Sequence, residues 1–150
     1  MEILVGIHNI VRWVIVILAV IALFRAYRGW LGNKDWMDLD RKTGVFFTSA
    51  LDTQLLIGLI LWVFGNWGLK AFELASSVDA ANRISVLFFA VEHSFSMLVA
   101  VVLAHIGTAS AKRQKEAKGK FKRIAIFFSI AVLLIFIAIP WTQRPLFPGM

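Results

Sequence analysis

Four stretches of this chain, residues 3–24, 45–64, 84–106 and 124–141, run almost unbroken in apolar side chains. About 20 such residues coil into a helix long enough to cross the hydrocarbon core of a bilayer. The apolar character is continuous rather than alternating, which predicts helices that satisfy their own backbone hydrogen bonds in lipid, not the strands of a barrel. Hydrophobic residues make up 59% of the chain and its mean hydropathy is +0.77, too apolar for a soluble domain of this length. The expectation is an all-α integral membrane protein with one transmembrane domain over 1–150 and no separate soluble domain.

Turn formers mark the connections, with Gly29, Gly32 and Asn33 in the first and Gly65, Asn66 and Gly68 in the second. Short links between consecutive spans predict an up-down-up-down four-helix bundle with antiparallel neighbours. Lys and Arg are retained on the cytoplasmic side during insertion. The first connection carries Arg25, Arg28, Lys34, Arg41 and Lys42, and the third Lys112, Arg113, Lys115, Lys118, Lys120, Lys122 and Arg123. The second has only Lys70 and Arg83, and the C-terminal tail only Arg144. Both termini are therefore expected on the non-cytoplasmic side. Met1-Glu2-Ile3-Leu4 lacks the basic start of a secretory signal, so the first helix is expected to stay attached. Trp30 and Trp36 fall near the cytoplasmic interface and Trp62, Trp67 and Trp141 near the other, where interfacial aromatics belong.

The net charge of +7 does not signal nucleic acid, because most of the excess sits in the two connections that insertion requires to be basic. The third, over residues 112–123, also suits anionic lipid headgroups or an acidic partner surface. With no cysteine in the chain, disulfides, thiolate metal sites and Cys-ligated iron-sulfur clusters are excluded. There is no Gly-rich phosphate loop and no nucleophile motif.

Titratable residues inside spans are costly in hydrocarbon and each invites a functional reading. Six are present: His8 and Arg12 in the first span, Asp52 in the second, and Glu92, His93 and His105 in the third. His8 and His93 lie near the starts of helices expected to be parallel and diagonal in the bundle, so inward-facing imidazoles at similar depth approach a metal from opposite sides. Haem iron takes two axial ligands in this way. Residues 8–20 and 93–105 also align without gaps, matching His8 with His93, Val14 with Val99, Val16 with Val101 and Ala19 with Ala104, as a parallel repeat does.

From His93 the helix face continues through Met97, Ala100 and Ala104, and from His8 through Arg12, Ile15, Ala19 and Ala22. Small residues there suit a flat macrocycle, and equally suit close helix packing. Arg12, one turn from His8, is placed to meet a haem propionate or to pair with Glu92. His105 stands about 120° around its helix from His93, which removes it from the ligand set. It is left to an internal hydrogen bond, a quinone site or a partner. Asp52, expected in the interior, would form a polar patch with Gln54 and His105, suited to quinone carbonyls, proton exchange or helix-to-helix bonding.

The opening His8-Asn9-Ile10-Val11-Arg12-Trp13, together with Val91-Glu92-His93 and the following Met97, Ala100 and Leu103, resembles the short four-helix bacterial membrane proteins described as cytochrome b. The similarity extends to Gly29-Trp30-Leu31-Gly32 and to the basic stretch before the fourth span. The resemblance implies one haem b ligated by His8 and His93, in a multi-pass protein of the bacterial inner membrane.

Together these readings predict an electron-transfer protein or accessory subunit of a respiratory or photosynthetic complex. Its haem lies near the periplasmic face, with His8, Arg12, Glu92, His93, Met97 and Ala100 at the cofactor and a quinone as a further ligand. An electron-transfer subunit is favoured over a stand-alone enzyme. The competing expectations are a cofactor-free structural subunit, a subunit holding chlorophyll through one histidine, and a proton-coupled transporter using Arg12, Asp52 and Glu92.

Overall fold

A computed structural model describes residues 1–141; Arg144, the tail's basic residue, lies outside them. The described residues are helical apart from their connections. Helix α1 spans Glu2–Leu31, α2 Asp38–Phe64, α3 Leu69–Ser77 and α4 Ala80–Leu87. A π-helical turn over Phe88–His93 carries α4 into α5, Ser94–Lys112, and α6 spans Ala117–Ala138. Among the described residues four helices are long and apolar enough to cross a membrane, Glu2–Leu31, Asp38–Phe64, Asn82–Lys112 and Ala117–Ala138, as the hydropathy pattern predicts. At the basic end they run past the apolar stretches. Hydropathy marks only the hydrocarbon slab, whereas a helix continues through the interfacial layer where its charges are solvated.

Local signals explain the helix ends. Past Leu31 the chain turns at Asn33, whose φ of 47° is the left-handed conformation that Asn tolerates. Lys34 N–H then returns to the Gly29 carbonyl at 3.1 Å. Gly29, read as a turn former, is instead buried within α1. The second connection contains α3, which no long apolar run announces. Arg83 Nε ties α4 to it by donating to the Ala75 carbonyl at 3.1 Å.

The membrane-spanning helices form a ring in which α1 packs on α2 and α6, and α5 packs on the same two. Contacts join neighbours in reverse chain order. Arg25 meets Asp40 and His8 meets Gln54 between α1 and α2. Asp52 meets His105 and Trp62 meets Ala90 between α2 and the third span. Between the third span and α6, His93 meets Ala138 and Gly107 lies against Phe127 and Phe128.

Small residues line the inside of the ring. Ala19, Ala22, Ala26 and Gly29 of α1 are buried, as are Ala100, Ala104, Gly107 and Ala111 of α5 and Ala125, Ala131 and Ala138 of α6. Large aliphatics such as Ile10, Ile17, Val20 and Leu133 face outward. Lipid tails are as apolar as Leu, so association depends on close van der Waals packing, and small side chains permit it. The largest side chains inside, Phe47, Phe121 and Phe128, fill what the alanines leave, Phe47 lying 4.8 Å from Phe128 between ring centroids.

Gly29 packs directly on the ring of Phe121, and a methyl group there would overlap it. Because Phe121 is only 2% exposed, its ring has nowhere to move. Gly29→Ala is expected to destabilise the bundle by about 1–3 kcal/mol through overpacking. Gly6→Ala, with open space around the new methyl, should be neutral or stabilise by up to about 1 kcal/mol through lost chain entropy. Unfolding in mixed micelles measures both, and equal midpoints for the two variants would contradict this packing account.

Candidate functional site

His8 sits one turn before Arg12 on the inward face of α1, the face that continues through buried Ile15, Ala19 and Ala22. Two residues of α2 frame it. Gly58 leaves room for the imidazole, since a Cβ there would lie 3.4 Å from His8 Cε1. Gln54 Nε2 donates to the His8 backbone carbonyl at 2.9 Å, and the Nδ1 atom of His8 is buried with no hydrogen-bond partner among the described residues. A buried ring nitrogen left unpaired is costly.

His93 is delivered by the π-helical turn. Widening a helix by one residue displaces carbonyls from the regular ladder, and π turns recur at functional sites. Here two of those carbonyls gain side-chain donors: Ser94 Oγ donates to Phe89 O at 2.7 Å, and Trp62 Nε1 donates to Ala90 O at 2.9 Å. His93 Nδ1 lies 2.9 Å from the carbonyl of Ala138, the last residue of α6. A carbonyl only accepts, so Nδ1 carries the proton and Nε2 presents its lone pair. Pro140 follows, where α6 has ended and its final carbonyls have no helical partner.

The two imidazoles face each other across the ring of helices. Their centroids are 6.4 Å apart and their planes are inclined by 61°. One metal between two imidazole nitrogens needs bonds of about 2.0–2.1 Å on each side; with about 1.1 Å from nitrogen to ring centre, the centroids of collinear ligands stand roughly 6.3 Å apart. The observed separation fits that requirement. Among the described residues no group of three or more His, Cys, Asp or Glu gathers. His8 and His93 are the two candidate ligands that the described residues bring together.

The surroundings are apolar and closely packed. Ala100 and Ala104 are fully buried and Met97 packs against the same core, on the face running from His93. Phe88 and Phe89 stand 6.2 and 5.7 Å from the His93 ring. Arg12 is buried at 9% exposure, with its guanidinium 5.7 Å from the Trp13 ring centre. Glu92 is exposed.

The polar patch expected from Asp52, Gln54 and His105 does not form as a unit. His105 Nε2 donates to Asp52 Oδ1 at 2.8 Å, but the two side chains are 49% and 46% exposed and face outward. Gln54 turns to His8 instead. Two residues along a helix rotate the chain by about 200°, so one α2 face cannot hold both Asp52 and Gln54. That rotation was the signal for Gln54. The donors Trp62 and Ser94 follow from the π turn, which the apolar pattern does not announce.

Compared with protein families, with curated proteins and with solved structures, the chain shows no match.

Trp62→Phe keeps the ring and removes the donor to Ala90 O. Leaving that carbonyl unpaired is expected to cost about 1–3 kcal/mol, read as a lower unfolding midpoint and faster amide exchange around residues 90–95. Exchange unchanged from the parent chain would remove Trp62 from the support of the π turn.

Proposed function

We propose that this chain is a membrane-embedded electron-transfer protein, or the accessory subunit of a larger redox complex, holding one b-type haem between His8 and His93. The observation that carries the reading is the pair of facing imidazoles at 6.4 Å, one of them with a buried unpartnered nitrogen and the other with its tautomer set by Ala138. When bound, a bis-imidazole haem supplies a one-electron redox centre. The chain's own residues bind and orient. The Ala138 carbonyl fixes the His93 ring and raises its basicity as a ligand. Arg12, one turn from His8, supplies a fixed cation suited to the carboxylate edge of a porphyrin, and the surrounding helices exclude water.

The reverse-order contacts between neighbouring helices support an up-down-up-down arrangement. The basic connections at one end support placing that end in the cytoplasm of a bacterium, with both termini outside and the histidines in the outer half of the inner membrane. A single centre near one surface bridges roughly 30 Å of hydrocarbon poorly, so a quinol or a partner subunit would exchange electrons with it. The outward His105–Asp52 pair offers hydrogen-bonding groups to a quinone carbonyl or to such a partner.

A reduced-minus-oxidised absorption spectrum of the purified full chain, with haem-to-protein stoichiometry, tests the reading. One haem per chain is expected. His8→Ala or His93→Ala should abolish the Soret and α bands while far-ultraviolet circular dichroism stays helical, and Arg12→Leu should lower haem content. A parent chain without these bands is a structural subunit or a pigment binder. Bands that survive His93→Ala would also defeat the assignment.

A further inference from the structure

At the end of the ring opposite the histidines, a cleft of about 180 Å³ opens between the connections, with Trp36, Arg41, Lys112 and Lys120 around it. Its mouth is cationic. Asp40 also lines it, but that carboxylate is buried and already accepts from Arg25 Nε at 2.8 Å and from Met37 N–H at 2.8 Å. Arg41 is shared with Asp38 at 2.7 Å. The charges presented to the cleft are thus chiefly those of Lys112, at the last residue of α5, and Lys120, in the first turn of α6. Lys120 lies 6.0 Å from the ring centre of Trp36, which is itself packed on Phe121 at 4.7 Å.

The floor of the cleft is of another character, formed by Gly44, Val45, Ala111 and Ile124. Val45 and Ile124 open the apolar stretches of α2 and α6, so the change from charged mouth to apolar floor falls where headgroups give way to hydrocarbon. Trp36 marks the same level, since indoles settle at that boundary. A free inorganic anion would use the mouth alone. A glycerophospholipid matches both parts, with its phosphate between lysines and its ester region along the floor, and basic pockets between membrane helices hold such headgroups.

We propose that this cleft is a binding site for the phosphate of an anionic phospholipid, with Lys112 and Lys120 holding the phosphate oxygens and Val45 and Ile124 flanking the glycerol and first acyl carbons. The site does not depend on the redox reading.

The test is native mass spectrometry of the full chain, delipidated in detergent and titrated in turn with phosphatidylglycerol, phosphatidylcholine and inorganic phosphate. Phosphatidylglycerol is expected to bind with a clear preference over phosphatidylcholine, whose choline offsets the phosphate charge. Lys112→Gln and Lys120→Gln should each weaken that binding about fivefold, and the double variant should abolish the preference. Lys122→Gln is the control for net charge, because Lys122 lies over Trp30 at 5.8 Å outside the cleft, and it should leave the preference intact. Equal binding of the two lipids, or an equal loss in Lys122→Gln, would overturn the site. Inorganic phosphate displacing the lipid at equal concentration would overturn the lipid as its ligand.

Discussion

A backbone carbonyl in hydrocarbon has no water to turn to, so every departure from a regular helix inside the membrane must bring its own donor. That requirement organises the histidine end of this protein. The π turn over Phe88–His93 displaces carbonyls, and Ser94 and Trp62 supply donors to two of them. The end of α6 leaves the Ala138 carbonyl without a helical partner, and His93 takes it. One contact thus closes a helix terminus and fixes the ring orientation of a candidate ligand. Anchoring the site to the end of α6 and to Trp62 of α2 also makes it a property of the whole ring rather than of α5 alone.

Close packing sets the remaining polar placements. Because α1, α5 and α6 approach on alanine and glycine, the interior has little spare volume, and side chains there are admitted selectively. Arg12 and His8 enter on the small-residue face of α1, while Asp52 and His105 are turned outward as a hydrogen-bonded pair. Helix rotation decides this sorting, and an intramembrane carboxylate on the outer surface is tolerable because His105 accompanies it.

Much of the fold is legible in the order of residues. The four spans, the turns near Asn33 and Gly65, the inward face from His8 through Ala22 and that from His93 through Ala104 all follow from hydropathy and helical periodicity, and the structure agrees with each. Less legible were α3, whose nine residues are too short and too mixed to stand out, and the π turn, which has no sequence signature of its own. Gly29 shows the limit of composition: a glycine beside a predicted turn serves a helix contact with Phe121, which lies far away along the chain.

What the sequence determines by itself is the solvent this protein lives in and the periodic faces of its helices, because transfer into lipid and helical rotation are local properties of each segment. The tertiary structure alone decided that the His8 and His93 rings stand 6.4 Å apart, that Gln54 belongs with His8 and that Asp52 belongs outside. It also decided that Lys112 and Lys120 share one cleft. These depend on the depth and rotation at which separate helices meet, and those are set by which small residues abut which large ones across the ring.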